Sequence, residues 1–177
     1  MKDHLLVLAL LICTLLSGCQ PRAKTISPPP YPPPVTEGTV TGKVMLQGRT
    51  TYEGITVAVG ELPAGTTGSD GLYTVPNVPQ GQHAIRAEKP GYLSAEGSFT
   101  MVGEGETRTL ATVTLLAGDI NGDGTINLFD LVLLSTTFGQ QDTASLRSDL
   151  NGDGAVNLFD LVLVGNNLYQ TGPLVFE

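Results

Sequence analysis

The stretch GDINGDGTINLFDLVLL, residues 118–134, returns thirty residues later as SDLNGDGAVNLFDLVLV, and the copies agree at twelve of the sixteen positions from 119 to 134 and from 149 to 164. No other feature constrains the fold as strongly. A pattern said twice places equivalent chemical groups in two equivalent units and favours a module with an approximate two-fold axis.

Each copy reads as a twelve-residue loop running into an apolar helix. Positions 1, 3 and 5 offer side-chain oxygens from Asp119, Asn121 and Asp123, and in the second copy from Asp149, Asn151 and Asp153. Position 6 is Gly124 or Gly154, suited to a sharp turn. Position 7, Thr125 or Ala155, supplies a backbone carbonyl; position 9, Asn127 or Asn157, acts through water; position 12 is Asp130 or Asp160. An all-oxygen set at this spacing predicts one calcium ion per loop, two in all. The usual ligand at position 12 is Glu, and Asp is one methylene shorter, so it ligates only if the following helix moves closer. Magnesium, with its tighter octahedron, fits less well. A plainer reading of the same residues is a pair of Asx turns that cap the following helices.

Charge points the same way. Residues 119–160 contain seven Asp, no Glu and only Arg147 in opposition, a net of −6. Without an ion these carboxylates repel at close range, so folding of this part is expected to be coupled to calcium. The apolar residues at position 8, Ile126 and Val156, are expected to pair the two loops in a short strand contact. The runs NLFDLVLLSTTFG and NLFDLVLVGNNLY predict buried helices ending near Gly139 and Tyr169. No helical pattern precedes either loop, so each repeat is half of an EF-hand.

In that layout residues 118–170 resemble a type I dockerin, with two F-hand calcium repeats and a short connecting helix. The resemblance implies a cohesin domain as partner, contacted around loop positions 10 and 11, here Leu128 with Phe129 and Leu158 with Phe159. It also implies that either repeat can face the partner, and an association with polysaccharide-degrading assemblies. Many cellulosomal dockerins carry small hydroxyl residues at those positions, where this chain has a Leu–Phe step. The step reads equally as an apolar contact surface or as packing against the other repeat or the neighbouring domain.

Between residues 39 and 116 the pattern changes to short β-prone runs, TVTGKVML, ITVAV, LYTV, HAIRA, GSFTMV and TRTLATVTLL, separated by turns such as TTGSDG and KPG. About six or seven strands predict a small all-β sandwich. DGLYTVPNVPQG followed by KPGY resembles the carboxypeptidase regulatory-like, or prealbumin-like, family, whose members are usually non-catalytic spacers or binding accessories. His83, beside Ala84 and Ile85, is expected to be packed and not catalytic; Tyr73 and Tyr92 are expected in the core before sugar stacking.

The N-terminal 19 residues carry one Lys and an apolar run from Leu5 to Leu16, long enough for an export signal and too short to span a bilayer. Their end, LSGC, resembles a bacterial lipobox, which implies lipidation of Cys19 and attachment to a membrane at the cell surface or outer membrane. With Cys19 acylated and Cys13 removed, no free thiol remains for disulfides or thiolate catalysis. Six prolines in residues 28–34 predict an extended spacer.

The expected organisation is multidomain: signal peptide and lipobox at 1–19, linker at 20–36, all-β sandwich at 37–117, a small α-helical dockerin-like module at 118–170 and a tail at 171–177. No segment is long enough for a glycosidase and no acid/base pair stands apart from the loops, so no enzyme is expected. No nucleic-acid partner is expected, and the chain is expected to be a monomer. The expected function is calcium-dependent docking at a surface, the alternative being a structural or carbohydrate-binding lipoprotein in which calcium rigidifies the C-terminal end.

Overall fold

A computed structural model describes residues 37–141 and 147–176. The chain divides into two units, Met1–Pro34 and Val35–Glu177, and all the described residues belong to the second. The export signal, Cys19 and the proline-rich spacer lie outside the described residues, as do residues 142–146, on which most of the expected connecting helix falls.

The predicted β-rich runs form two sheets. Strand β1 (Glu37–Leu46) pairs antiparallel with β4 (Leu72–Pro79) and, along its other edge, parallel with β7 (Thr107–Thr109) and then β8 (Val113–Leu115). The second sheet has the order β3 (Gly65–Thr66), β2 (Thr56–Val59), β5 (Gly81–Glu88), β6 (Ala95–Met101), β9 (Leu174–Val175). The run TRTLATVTLL is thus two strands, β7 and β8. Alternation decides which face is buried: Val40, Val44 and Leu46 of β1 point inward, as do Val57 and Val59 of β2 and Ile85 and Ala87 of β5.

Tyr73 and Tyr92 are both in the core, at 3% and 4% exposure. Gly42 makes room for Tyr73: a Cβ there would lie 2.4 Å from the phenol oxygen. That oxygen has no hydrogen-bond partner among the described residues, and burial pushes the Tyr73 phenol up to about 12. His83 packs its ring at 5.7 Å from Phe99 and lies with Nε2 2.8 Å from the Pro79 carbonyl, which accepts its hydrogen bond.

The repeats follow β8 and contribute the helices α1 (Leu128–Thr137) and α2 (Leu158–Asn166). Their buried residues Ile120, Ile126, Leu134, Leu150, Val156 and Val164 join those of the sandwich in one continuous core. Backbone bonds sew the junction, Gly118 N–H to the Gly91 carbonyl at 2.8 Å and Leu93 N–H to the Leu116 carbonyl at 2.9 Å. The side-chain amides of Gln47 and Asn167 bond each other, and both bond the backbone of Ala117.

Two expectations are corrected. The helices are only partly buried: they fully enclose Asp130 with Leu134 and Asp160 with Val164, pack Leu131, Leu161 and Leu163 half-buried against the core, and turn Leu128, Phe129, Val132 and Leu133 of α1 and Leu158, Phe159 and Val162 of α2 outward. The expected tail also returns to the sandwich, where β9 adds a parallel strand to β6, with Leu174 N–H to the Ser94 carbonyl at 2.8 Å and Phe176 N–H to the Glu96 carbonyl at 3.0 Å.

Gly91 marks how close the two halves approach. Its φ is +88°, and a Cβ there would meet the Arg147 carbonyl oxygen at 2.6 Å and Leu150 Cδ2 at 3.1 Å. Gly91→Ala is expected to lower unfolding free energy by about 2–4 kcal/mol, combining backbone strain with a steric clash. Gly105→Ala, at φ +67° with nothing within 4 Å, should cost only the strain, about 1 kcal/mol, in the same denaturant titration.

Candidate metal loops and the exposed helix faces

Both loops fold through the same internal bonds. Asp119 Oδ1 accepts from Gly122 N–H at 2.9 Å and Asp123 N–H at 3.1 Å, and its Oδ2 from Gly124 N–H at 3.1 Å. In the second loop Asp149 accepts from Gly152 and Gly154 at 2.8 and 3.1 Å. Position 3 forms an Asx turn onto position 5, with Asn121 Oδ1 accepting from Asp123 N–H at 2.9 Å and Asn151 Oδ1 from Asp153 N–H at 3.0 Å. Position 5 repeats the turn onto position 7, since Asp123 and Asp153 accept from the N–H of Thr125 and Ala155, both at 2.9 Å. Gly124 and Gly154 take the left-handed φ, +81° and +88°, that the sharp turn requires.

Position 12 closes the ring. Asp130 is fully buried; its Oδ1 accepts from Ile120 N–H at 2.9 Å and Asn121 N–H at 3.1 Å, and its Oδ2 from Asn127 N–H at 2.8 Å. Asp160 does the same with Leu150, Asn151 and Asn157 at 2.8, 3.2 and 2.9 Å. Asn127 and Asn157 are the helix N-caps, their oxygens accepting from Phe129 and Phe159 N–H at 2.8 Å in each case, and with position 12 they complete a capping box. The side-chain nitrogen of Asn127 donates to the Thr125 carbonyl at 3.2 Å and that of Asn157 to the Ala155 carbonyl at 3.4 Å. The Asx turns and caps weighed from sequence are therefore all present.

The loops do not pair with each other through position 8. Ile126 exchanges backbone bonds with the chain leaving α2, its N–H to the Gln170 carbonyl at 2.9 Å and its carbonyl to Tyr169 N–H at 2.7 Å. Val156 makes the symmetry-equivalent pair with the chain leaving α1, its N–H to the Gln140 carbonyl at 3.0 Å and its carbonyl to Gly139 N–H at 2.8 Å. Each repeat thereby satisfies the buried backbone of the other, which a direct loop-to-loop pairing would leave open at the helix exits.

The donor set is oxygen alone, suited to a hard cation and not to zinc or copper. Asp119 is 4% exposed, and neither it nor Asp130 takes part in the ion pairs found among the described residues, which are Arg86–Glu88, Arg86–Glu96 and Arg108–Glu106. Burial raises the Asp119 carboxyl above its ordinary value; N–H bonds from Gly124 and Gly122 oppose this, and the charges of Asp130 and Asp123 add to it. Asp153 is lowered instead, first by the Asn151 amide and then by Ala155 N–H and the Asn157 amide. Among the described residues no three acidic, His or Cys side chains close on one point, because the carboxylate oxygens are turned to backbone N–H groups. The carboxylate oxygen buried at Asp119 and Asp130, outside those ion pairs, is the environment that a divalent ion compensates.

Outside the loops, Leu128, Phe129 and Val132 of α1 are 63%, 71% and 56% exposed, and Leu158, Phe159 and Val162 of α2 are 62%, 69% and 49% exposed. The Leu–Phe steps are thus exposed and not packed against the other repeat or the sandwich. Sequence reasoning missed Val132 and Val162; their place one turn after Leu128 and Leu158 was the available signal.

In chelator, Asp130→Asn or Asp160→Asn is expected to cost about 2–3 kcal/mol in denaturant titrations, because an amide nitrogen then faces a buried N–H and the capping box is lost.

No curated protein matches the chain. A crystal structure of a type II cohesin–X-module–dockerin complex from Acetivibrio cellulolyticus, an N-terminal interface mutant, is similar at TM-score 0.63 and 28% identity, covering 76% of this chain and 97% of that one. The C-terminal interface mutant of the same complex is similar at TM-score 0.62 and 27% identity over the same shares. A type II cohesin–dockerin structure from Bacteroides cellolosolvens is 37% identical over 30% of this chain and 85% of that one, at TM-score 0.28. Residues 117–169, which hold the paired loops and the capped helices, match the family described as dockerin type I domain.

Proposed function

We propose that this chain is a calcium-stabilised docking protein whose partner is a cohesin domain, contacted by the exposed apolar faces of α1 and α2. The observation that carries the reading is the outward Leu128, Phe129, Leu158 and Phe159, on helices that bury only Asp130 and Leu134 or Asp160 and Val164. Similarity to structures of a cohesin–X–dockerin complex, over 76% of this chain, supports that partner. A large aromatic presented in the middle of an apolar patch is the kind of residue on which interface energy concentrates.

In this proposal each loop holds one calcium ion. Asp119, Asn121, Asp123, the Thr125 carbonyl and Asp130 form one set, with Asn127 through water; Asp149, Asn151, Asp153, the Ala155 carbonyl and Asp160, with Asn157, form the other. The ion neutralises the carboxylates and ties the loop to the start of its helix, so that the Leu–Phe step is held at a fixed angle. The sandwich acts as a non-catalytic spacer of the carboxypeptidase regulatory-like kind. Export, lipidation at Cys19 and a place in a polysaccharide-degrading assembly complete the proposal. No helix among the described residues is long and apolar enough to cross a membrane.

Calcium at a hundredfold excess over its dissociation constant should add about 2.7 kcal/mol of stability per site, seen as a rise in unfolding midpoint and in helical circular dichroism that a chelator reverses. An unchanged midpoint would sink the metal assignment. Immobilised type II cohesin should retain the full chain with calcium and release it with chelator. Phe129→Ala and Phe159→Ala should each weaken binding roughly thirtyfold if both helices touch the partner at once, and neither alone should do so if one repeat is used at a time. Retention that survives both chelation and the double substitution would leave calcium as a rigidifying element only.

A further inference from the structure

We infer that Arg49 and Tyr92, two sandwich residues, position the Asp160 carboxylate through the backbone of the second loop, so that the two calcium sites are unequal despite their near-identical sequences. The inference rests on the calcium reading above and extends it to residues outside both loops.

Two consecutive peptide groups carry the connection. The first joins Asp149 to Leu150: its carbonyl accepts from Arg49 Nη2 at 2.7 Å, and its N–H donates to Asp160 Oδ1 at 2.8 Å. The second joins Leu150 to Asn151: its carbonyl accepts from Arg49 Nε at 3.0 Å and from the Tyr92 hydroxyl, and its N–H donates to the same Asp160 Oδ1 at 3.2 Å. Arg49 Nε also lies 3.0 Å from the Tyr92 hydroxyl, which fixes the two side chains against each other. The guanidinium therefore sits on the carbonyl side of both peptides and the position-12 carboxylate on their N–H side.

Arg49 is half-buried, and the groups it reaches lie deeper. Tyr92 is 4% exposed, Leu150 and Asp160 fully buried, and in a medium of low polarity hydrogen bonds in series polarise one another. The planar guanidinium fork, with nitrogens on adjacent carbonyls, sets the tilt of both peptides and through them the place of the carboxylate.

The first loop lacks the outer half of this device. Ile120 and Asn121 N–H hold Asp130 Oδ1 at 2.9 and 3.1 Å as before, but among the described residues no side chain donates to the Asp119 or Ile120 carbonyl. The arginine nearest to it is Arg147, exposed, whose Nη1 would lie 3.5 Å from a Cβ at Gly122. The corresponding distance from Arg49 Nη1 to a Cβ at Gly152 is 2.8 Å. The second loop is thus braced by side chains of the sandwich at the peptides that hold its position-12 carboxylate, and the first is not, so more of the ordering at that point falls to ion binding in the first loop.

A guanidinium near a cation site also repels the cation, and the two effects have opposite signs. Positioning wins in this inference because the Arg49 N–H groups are spent on carbonyl oxygens whose peptides orient the ligand. The test is a calcium titration of the isotope-labelled full chain, following the amide resonances of Gly124 and Gly154 separately. In the native chain Gly154 should reach half-saturation at lower calcium than Gly124. Arg49→Gln should raise the Gly154 midpoint roughly tenfold, the size expected for losing hydrogen bonds from a charged donor, and leave the Gly124 midpoint in place. Arg49→Lys should behave like Arg49→Gln, since it keeps the charge and loses the fork. If Arg49→Gln disperses the β5 amides, Tyr92→Phe decides in its stead, with a smaller shift of Gly154 alone. A Gly154 midpoint that falls or stays, or an equal shift of both loops, overturns positioning. Titrations in which neither glycine responds even in the native chain overturn the calcium reading itself, a result distinct from the others.

Discussion

Two buried carboxylates hold the C-terminal half of this molecule together. Asp130 and Asp160 each take three backbone N–H bonds, two from the beginning of a loop and one from the cap of the helix that ends it. Eleven residues of chain are closed by one side chain, and the direction in which the helix leaves is fixed with them. Glu at this position would add a methylene to a group already fully enclosed, which is the structural sense of the departure from the usual loop.

Closure at position 12 leaves the helix exits to be satisfied, and the duplicate supplies what is missing. The strand-like bonds of Ile126 with Tyr169 and Gln170, and of Val156 with Gly139 and Gln140, let each repeat finish the other. With only one carboxylate and one aliphatic residue fully enclosed on each of α1 and α2, and Leu131, Leu161 and Leu163 packed half-buried beside them, the first-turn Leu–Phe pairs have no place in the core. The outward Leu–Phe pairs follow from that economy of core as much as from any partner.

Much of this was legible in the sequence, and the failures have physical causes. Spacing alone placed the loop positions, because Asx turns and glycine at a left-handed φ are local matters. Alternation placed the strands of the sandwich for the same reason. Apolar density misjudged the helices, since LFDLVLL counts hydrophobic residues without saying which way they face; only the buried Asp at the centre of each stripe revealed the inner side. The pairing of Ile126 and Val156 was misassigned because the partner segments, at 139–140 and 169–170, have no β-like pattern and are chosen by tertiary geometry. Arg49 and Tyr92 could not have been linked to Leu150 from sequence, standing 101 and 58 residues away.

The short strand β9 has one more consequence. Since β8 enters the repeats and β9 leaves them, the pair of loops and helices is spliced into the sandwich at both ends, not hung from it by one. A pull applied to the helix faces is divided between two points of attachment, one in each sheet. Tearing the module free means shearing a parallel strand pair at β1 and another at β6 together, so mechanical load meets the sandwich as a clamp and not as a hinge.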